Sequence, residues 1–381
     1  MVTDLVELLE GARNCVRNWA RIEKNESVLI TTDASIDPVV VEAFYVAANE
    51  VGAKVGVVTL PGTAVAEMEM FPKWYPKTVL EADVTIDLGF HFNFHFFGGL
   101  GPLDELMKKN NLNFRVVSVR PVNKEHLASK WARFPRELEL AIGQKALDQV
   151  RGGKKITITD PEGTNITCDG YKLIGGKKIT HGAAEFFFRL FQGVMIGLDP
   201  KPEVTCHGVI VSSSTHTEPI PTIRLTVERG QVVQVEGGGS VGKRWAQCFE
   251  KDKDIVYGDD HPGPGCNWIE EFMWGTHPKP FRLVPKGLDG TARSFAWEAG
   301  DRRAGVLHIG IGTGQNPPKE GAPKQHKDLS MFHPTVIIDG KTIIKSGHLL
   351  ALDDPEIREI AKKYGDPDEL LRIEWEPEMP G

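Results

Sequence analysis

Two segments near the carboxyl end of the chain combine histidine, aspartate and glycine at spacings that suit metal binding. The first is LHIGIGTG at 307–314, and the second is QHKD at 325–328. In an extended strand alternate side chains point the same way, so the His326 imidazole and the Asp328 carboxylate can hold one ion. With His308 they offer two imidazoles and a carboxylate. That set suits iron, zinc or manganese and leaves open positions where the ion could activate oxygen or water.

The role of His308 depends on the glycines that follow it. Gly310, Gly312 and Gly314 alternate along the predicted strand and leave one face without side chains, which lets a ligand or another backbone approach. An imidazole between two apolar residues is otherwise a core histidine bonded to a backbone carbonyl. Both interpretations of His308 therefore stay open.

A second acidic segment, WIEEFMWGTHP at 268–278, could complete the site. Its adjacent carboxylates point to opposite faces if the segment is extended, so at most one of them meets the ion, and Glu271 is favoured. His261, in a loop rich in glycine and proline, is the competing first ligand. Trp274 and His277 are candidates for substrate binding.

Other histidines are candidates for catalysis. His91 and His95 lie in HFNFHFFGG at 91–99, just past a predicted strand, at the carboxyl edge where open α/β sheets bind ligands. They could stack on a planar aromatic substrate and supply a general base, or they could lie in a buried interface. His181 and His216 are weaker candidates for substrate binding.

Composition narrows the class of protein. The length of 381 residues predicts two domains. The net charge of −7 argues against a nucleic-acid partner and against an anionic-membrane partner. The five cysteines are widely spaced and form no C-x-x-C pair, which predicts neither a disulfide framework nor a structural zinc site. The acidic amino terminus does not resemble a signal peptide, so we expect a cytoplasmic protein.

The hydrophobic patterning changes near residue 150. In residues 1–150, apolar strands such as 27–32 and 54–60 alternate with helices, which predicts an α/β domain with an open parallel sheet and helices on both faces. Residues 151–381 contain short strands separated by Gly, Pro or Asp turns, which predicts a mainly antiparallel α+β domain that binds the metal. The glycine-rich segments lack the residue pattern, or the preceding strand and following helix, that a nucleotide-binding motif requires.

Several colinear motifs carry a family resemblance. They include ASIDP at 34–38, TIRLTVERG at 222–230, TGQN at 313–316, the His326-x-Asp328 pair and IDG at 338–340. With these motifs the chain resembles the superfamily that contains the aminopeptidase T peptidases and 2,5-dihydroxypyridine 5,6-dioxygenase. The chain resembles the dioxygenase group more closely over its whole length, and the resemblance to the superfamily implies a homo-oligomer.

The resemblance implies a single ferrous ion held by His, His and Asp. The last two fall on His326 and Asp328. Alignment through Trp274 puts Glu271 at the first position, whereas alignment through Tyr257 puts His261 there. His308 falls where the peptidases have a metal-binding histidine.

Two reactions fit these residues. A non-heme Fe(II) dioxygenase would cleave a small aromatic or N-heterocyclic ring, with His91 or His95 taking the substrate proton. A metallohydrolase with Zn(II) or Mn(II) would cleave an amide or C–N bond, with Glu271 or Glu298 as the base. We expect the dioxygenase, because the first-domain pattern resembles that group. The glutamate at the first ligand position argues the other way, since two carboxylates favour a harder ion.

Overall fold

The structure of the protein is a computed structural model. It describes residues 5–34, 36–60, 72–88, 115–119, 123–173, 188–190, 195–200, 206–215, 218–257, 261–281, 299–313 and 325–374.

The amino-terminal half is built on a parallel sheet, as its alternating pattern predicts. Within the described residues its strand order is β2-β1-β3-β4-β8, with bounds β1 Ser27–Asp33, β2 Lys54–Leu60, β3 Val84–Asp87, β4 Arg115–Val119 and β8 Phe188–Leu190. The helices are α1 Leu5–Asn14, which continues as a π-helical segment Cys15–Trp19, α2 Pro38–Glu50, α3 Tyr75–Glu81 and α4 Lys124–Ala128. Helix α2 begins where the Asp37 side chain accepts a hydrogen bond from the Val39 amide, with Pro38 in the first turn.

Two elements cross the predicted domain boundary at residue 150. Helix α5, Arg136–Val150, buries Leu138, Ile142 and Ala146 in the same hydrophobic core as the strands of the carboxyl-terminal half. Strand β8, in contrast, comes from the second half of the chain and pairs with β4 in the first sheet.

The carboxyl-terminal half is dominated by an antiparallel sheet, which confirms the predicted fold class. Its strands are β5 Lys155–Thr159, β6 Asn165–Asp169, β7 Tyr171–Leu173, β9 Met195–Pro200, β10 Cys206–Ser214, β11 Pro219–Glu228, β12 Gln231–Gly237, β13 Trp268–Gly275, β14 Leu307–Gly312, β15 His326–Met331, β16 Thr335–Ile338, β17 Lys341–Lys345 and β18 His348–Leu349. The helices are α6 Gly239–Asp252, α7 Pro355–Ala361 and α8 Pro367–Leu371, with 3-10 turns at Ala299–Arg302 and Leu350–Asp353. None of the helices in the described part of the chain is long and apolar enough to cross a membrane.

One cysteine pair departs from the sequence-based expectation. Cys168 on β6 and Cys206 on β10 lie directly opposite each other in adjacent antiparallel strands and are joined by a disulfide. They are 38 residues apart in the sequence, so their spacing carried no signal. The prediction that the cysteines form no disulfide framework did not anticipate this single pair, because strand pairing brings together two residues that local patterning does not connect.

Candidate metal centre

The candidate site lies on one face of three neighbouring antiparallel strands, β13, β14 and β15. Strand β14 is in the middle, and Gly310 is paired with Glu271 on one side and with Asp328 on the other. Gly312 is paired with His326. Because paired residues in an antiparallel ladder project to the same face, this register directs the three polar side chains toward one point above the glycines.

The side chains of Glu271, His326 and Asp328 form a compact group of donor atoms. One ligand atom from each lies within 4.8 Å of the others. His326 Nε2 is 3.1 Å from Asp328 Oδ2 and 3.5 Å from Glu271 Oε1. The side chain of His326 is 34% exposed whereas that of Asp328 is 8% exposed, so the group is anchored in the sheet but open on one side.

A β-bulge brings a second glutamate to His326. The register of β13 against β14 shifts between Ile269 and Glu271, which leaves Glu270 as the extra residue. Glu270 Oε1 contacts His326 Nδ1, while Glu271 faces Nε2 of the same ring. The expectation that the two adjacent carboxylates point to opposite faces is therefore wrong, because it assumed a regular strand.

Gly310 makes room for the Glu271 side chain. A Cβ atom at position 310 would lie 2.5 Å from Glu271 Cγ and 3.2 Å from its Oε1. Because Gly310 has no side chain, the Glu271 side chain can lie directly over this position. This agrees with the prediction that the glycines leave a strand face on which another group can lie.

His308 contacts the group through Glu271. Its side chain is 4% exposed, and its Nε2 is 3.2 Å from Glu271 Oε1. Glu271 Oε1 consequently lies between two imidazoles, those of His308 and His326. His308 is thus next to the donor group, though it is not among the three residues whose donor atoms all lie within 4.8 Å of each other.

The electrostatics of the site are dominated by its carboxylates. Burial lowers the pKa of His326, but Asp328 and Glu270 raise it more, so the pKa of this imidazole lies well above its ordinary value. The cluster therefore attracts positive charge strongly. A proton and a divalent cation both satisfy that demand, and a cation with several open coordination positions satisfies more of the carboxylate oxygens at once.

The other residues singled out from the sequence lie elsewhere or are not described. His261 Nδ1 is 2.5 Å from the Gly263 carbonyl oxygen and its Nε2 is 3.4 Å from that of Gly312. Trp274 is fully buried in the carboxyl-terminal core. The remaining candidates lie outside the described residues: His91, His95, His181, His216 and Glu298.

His277 has the surroundings of a core residue rather than of a substrate-binding one. It is 1% exposed, its ring centroid is 4.3 Å from that of Phe134, and its Nε2 is 3.7 Å from Glu139 Oε2. Burial lowers its pKa well below the ordinary value, with Lys279 acting in the same direction. The imidazole is therefore neutral near pH 7.

Sequence reasoning missed the contact of Glu270 with His326 and the close approach of Gly310 to Glu271. A metal-binding histidine commonly donates its second ring N–H to a carboxylate. Two adjacent glutamates close to a predicted histidine ligand were therefore the signal that could have indicated this contact. Nothing in the sequence marked the bulge that makes use of both.

Comparison with known proteins establishes the fold. No protein-family model and no curated protein sequence matches the chain. The chain is similar in structure to 2,5-dihydroxypyridine dioxygenase from Pseudomonas putida KT2440, with a TM-score of 0.63 and 15% identity over 93% of this chain and 99% of that one. It is also similar to AmpT from Thermus thermophilus, with a TM-score of 0.54 and 15% identity over 91% of this chain and 99% of that one. The chain therefore has the fold that these two proteins share.

Proposed function

We propose that the protein is a metal-dependent enzyme with one divalent ion bound by Glu271, His326 and Asp328. The observation that carries this proposal is the convergence of their donor atoms within 4.8 Å on one face of the sheet. A nitrogen and two carboxylate oxygens suit a divalent cation of the first transition row, and three protein ligands leave positions for substrate.

The surrounding residues fit such an ion. Glu270 holds His326 Nδ1, which keeps the ring proton on that atom and directs the lone pair of Nε2 toward Glu271 and Asp328. His308 Nε2 stands beside Glu271 Oε1, where it can donate a hydrogen bond and orient this carboxylate, or supply a further nitrogen ligand. The acidic surroundings offset the cost of bringing a cation to a partly buried position.

We propose that the reaction is cleavage of a small hydroxylated aromatic or N-heterocyclic ring by dioxygen, with Fe(II) as the ion. The fold shared with 2,5-dihydroxypyridine dioxygenase over almost the whole of both chains supports this choice. A ferrous ion, when bound, supplies the redox chemistry that lets dioxygen react with such a ring. The partly exposed edge of His326 leaves a side from which a substrate can reach the site. A proton released by the substrate hydroxyl would pass to His91 or His95.

A metallohydrolase is the second candidate, and the position of Glu271 favours it. A ligand set of two carboxylates and one imidazole suits Zn(II) or Mn(II). A set of two histidines and one carboxylate is the one typical of Fe(II) oxygenases. The fold shared with AmpT supports it too. Because Glu271 is a ligand of the ion in this proposal, Glu298 would take the proton of the attacking water.

Metal identity together with oxygen dependence distinguishes the two reactions. Protein reconstituted anaerobically with Fe(II) should consume O2 on addition of a dihydroxypyridine or a catechol, and Zn(II)-loaded protein should not. Amide hydrolysis by Zn(II)- or Mn(II)-loaded protein under anaerobic conditions, without oxygen uptake by the iron form, would establish the hydrolase instead.

Replacement of the ligands tests the metal centre itself. We expect His326→Ala and Asp328→Ala each to abolish retention of the ion while the circular dichroism spectrum stays that of the parent. His348→Ala is the matched control, because His348 is a partly exposed imidazole paired with a different carboxylate, that of Asp353. Full metal content in either ligand variant would refute the assignment.

Partners and location are also proposed. With a net charge of −7 we expect a small-molecule substrate and no nucleic-acid or membrane partner, in a cytoplasmic protein. We expect a homo-oligomer, and light scattering coupled to size-exclusion chromatography would detect a monomer if this is wrong.

A further inference from the structure

A second cluster of metal-binding residue types lies on the opposite face of the strands that carry the candidate centre. Cys248 and Asp252 are one turn apart on α6, so both project from the same side of the helix. Cys266 lies in the segment that leads into β13, and the three ligand atoms lie within 4.8 Å of each other. On β15, Lys327 alternates with the site residues His326 and Asp328 and therefore projects toward α6, where its ammonium lies over the Phe249 ring.

The distances within this cluster match those around a tetrahedral ion. Cys248 Sγ is 3.8 Å from Cys266 Sγ and 3.7 Å from Asp252 Oδ2. Two sulfur ligands at ~2.3 Å from a tetrahedral Zn²⁺ lie about 3.8 Å apart, and a sulfur and an oxygen ligand lie slightly closer. The Gln325 carboxamide oxygen, 3.3 Å from Cys248 Sγ, is a further oxygen donor beside the cluster.

A buried phenol provides an independent sign that a group is bound here. Tyr257 is 1% exposed, and its hydroxyl has no hydrogen-bond partner among the described residues. Cys266, Asp252 and Cys248 are its electrostatic neighbours. A buried hydroxyl without a partner is costly, and a water or metal ligand within the cluster would satisfy it.

The charges also balance when a divalent ion is added. Once metal binding has deprotonated both thiols, the two thiolates and the Asp252 carboxylate carry one negative charge each, and three such charges in a largely buried position need compensation. Lys327 is close enough to Cys266 to act on it electrostatically and supplies one positive charge. A Zn²⁺ ion supplies the other two.

We propose that Cys248, Cys266 and Asp252 bind a structural Zn²⁺ ion that ties α6 to the segment leading into β13. On binding, the two thiols release their protons to solvent and each forms one sulfur–zinc bond, with no change of oxidation state. Soft thiolate ligands select zinc over the harder ions that suit Glu271 and Asp328 on the other face. The ion would hold the start of the strand that carries Glu270 and Glu271.

The test separates this site from the candidate catalytic centre by use of a His326→Ala/Asp328→Ala background. Zinc content per chain is measured by mass spectrometry after dialysis. We expect one equivalent in that background and its loss on addition of Cys248→Ser or Cys266→Ser. Cys15→Ser, which replaces a buried cysteine of the amino-terminal half, is the matched control and should retain the ion. Replacement of zinc by cobalt should give a thiolate-to-cobalt charge-transfer band that Cys248→Ser abolishes.

Asp252→Asn covers the case in which a cysteine variant does not fold. It preserves both thiols and the shape of the side chain, and we expect it to weaken zinc binding by about tenfold or more, with an unchanged circular dichroism spectrum. Absence of zinc from the His326→Ala/Asp328→Ala protein would overturn the proposal. A Cys248–Cys266 disulfide in freshly purified protein, found by mass spectrometry of non-reduced peptides, would overturn it too. Neither result would bear on the metal at Glu271, because the background lacks two of its ligands.

Discussion

The close contact between Gly310 and Glu271 allows a sharp test of the candidate metal centre with a single methyl group. In Gly310→Ala the new Cβ would lie 2.5 Å from Glu271 Cγ, whereas ordinary contacts between carbon atoms begin near ~3.5 Å. The Glu271 side chain must therefore move by about 1 Å. Gly310 is not among the residues with positive φ, so the alanine introduces no backbone strain and the effect comes from this contact.

A carboxylate displaced by that distance can no longer meet an ion held by His326 and Asp328. We expect the metal affinity to fall about 10- to 100-fold, which is about 1.4–2.7 kcal/mol of binding free energy. Affinity is measured by competition with a chelator of known strength, and stability by thermal unfolding of the metal-free protein. Gly56→Ala is the matched control, because Gly56 also lies in a strand and nothing would lie within 4 Å of its Cβ.

A double-mutant cycle shows whether the loss passes through Glu271. In a Glu271→Ala background the Cγ atom is absent, so Gly310→Ala should cause no further loss of metal affinity. Equal losses in both backgrounds would mean that position 310 acts through other contacts. Binding by Gly310→Ala as tight as that of the parent protein would refute the inference that Glu271 is a ligand.

Three further predictions concern positioning and stability. Glu270→Gln should weaken metal binding about 10- to 100-fold, because the orientation of His326 is lost, whereas the exposed Glu250→Gln should have no effect in the same chelator competition. Burial lowers the pKa of His126 to about 4, so the folded state resists protonation that the unfolded chain accepts below about pH 6.5. The free energy of unfolding should therefore fall by about 3 kcal/mol as the pH drops from 6.5 toward 4. Urea unfolding at a series of pH values should show a smaller fall for His126→Phe. An unchanged dependence of the unfolding free energy on pH in this variant would contradict the prediction. Lys279→Met should cost about 3 kcal/mol in urea unfolding at pH 7, because the buried ammonium donates to Glu374 at 2.6 Å and to the backbone carbonyls of Glu369 and Arg372, and its loss removes three buried hydrogen bonds at once.

Much of the fold could be predicted from the sequence, because hydrophobic periodicity reports burial directly. The apolar run of β1 predicts a strand buried in a parallel sheet, and Asp37 followed by Pro38 predicts the start of α2. The exchange of elements across residue 150 could not be predicted. Strand β8 joins the first sheet and α5 packs in the second core, since such packing depends on contacts between residues far apart in the chain.

The candidate site shows the same division. Alternation along a strand is enough to predict that His326 and Asp328 share a face, and their side chains do meet. The same rule predicted that Glu270 and Glu271 would diverge, and here it was wrong, because the bulge in β13 changes the alternation at that point. A bulge results from the pairing of two strands, so neither strand alone contains the signal.

By itself the sequence determined the succession of strands and helices, the change to antiparallel patterning, and the residue types available for binding a metal. Only the tertiary structure decided that Glu271 converges with His326 and Asp328 and that Glu270 contacts the second ring nitrogen of His326. The proximity of Cys248 to Cys266 also depends on the tertiary structure. The physical reason is that local conformation follows from side-chain burial and backbone preference within a few residues, whereas a site depends on the register of strands that the chain brings together from distant positions.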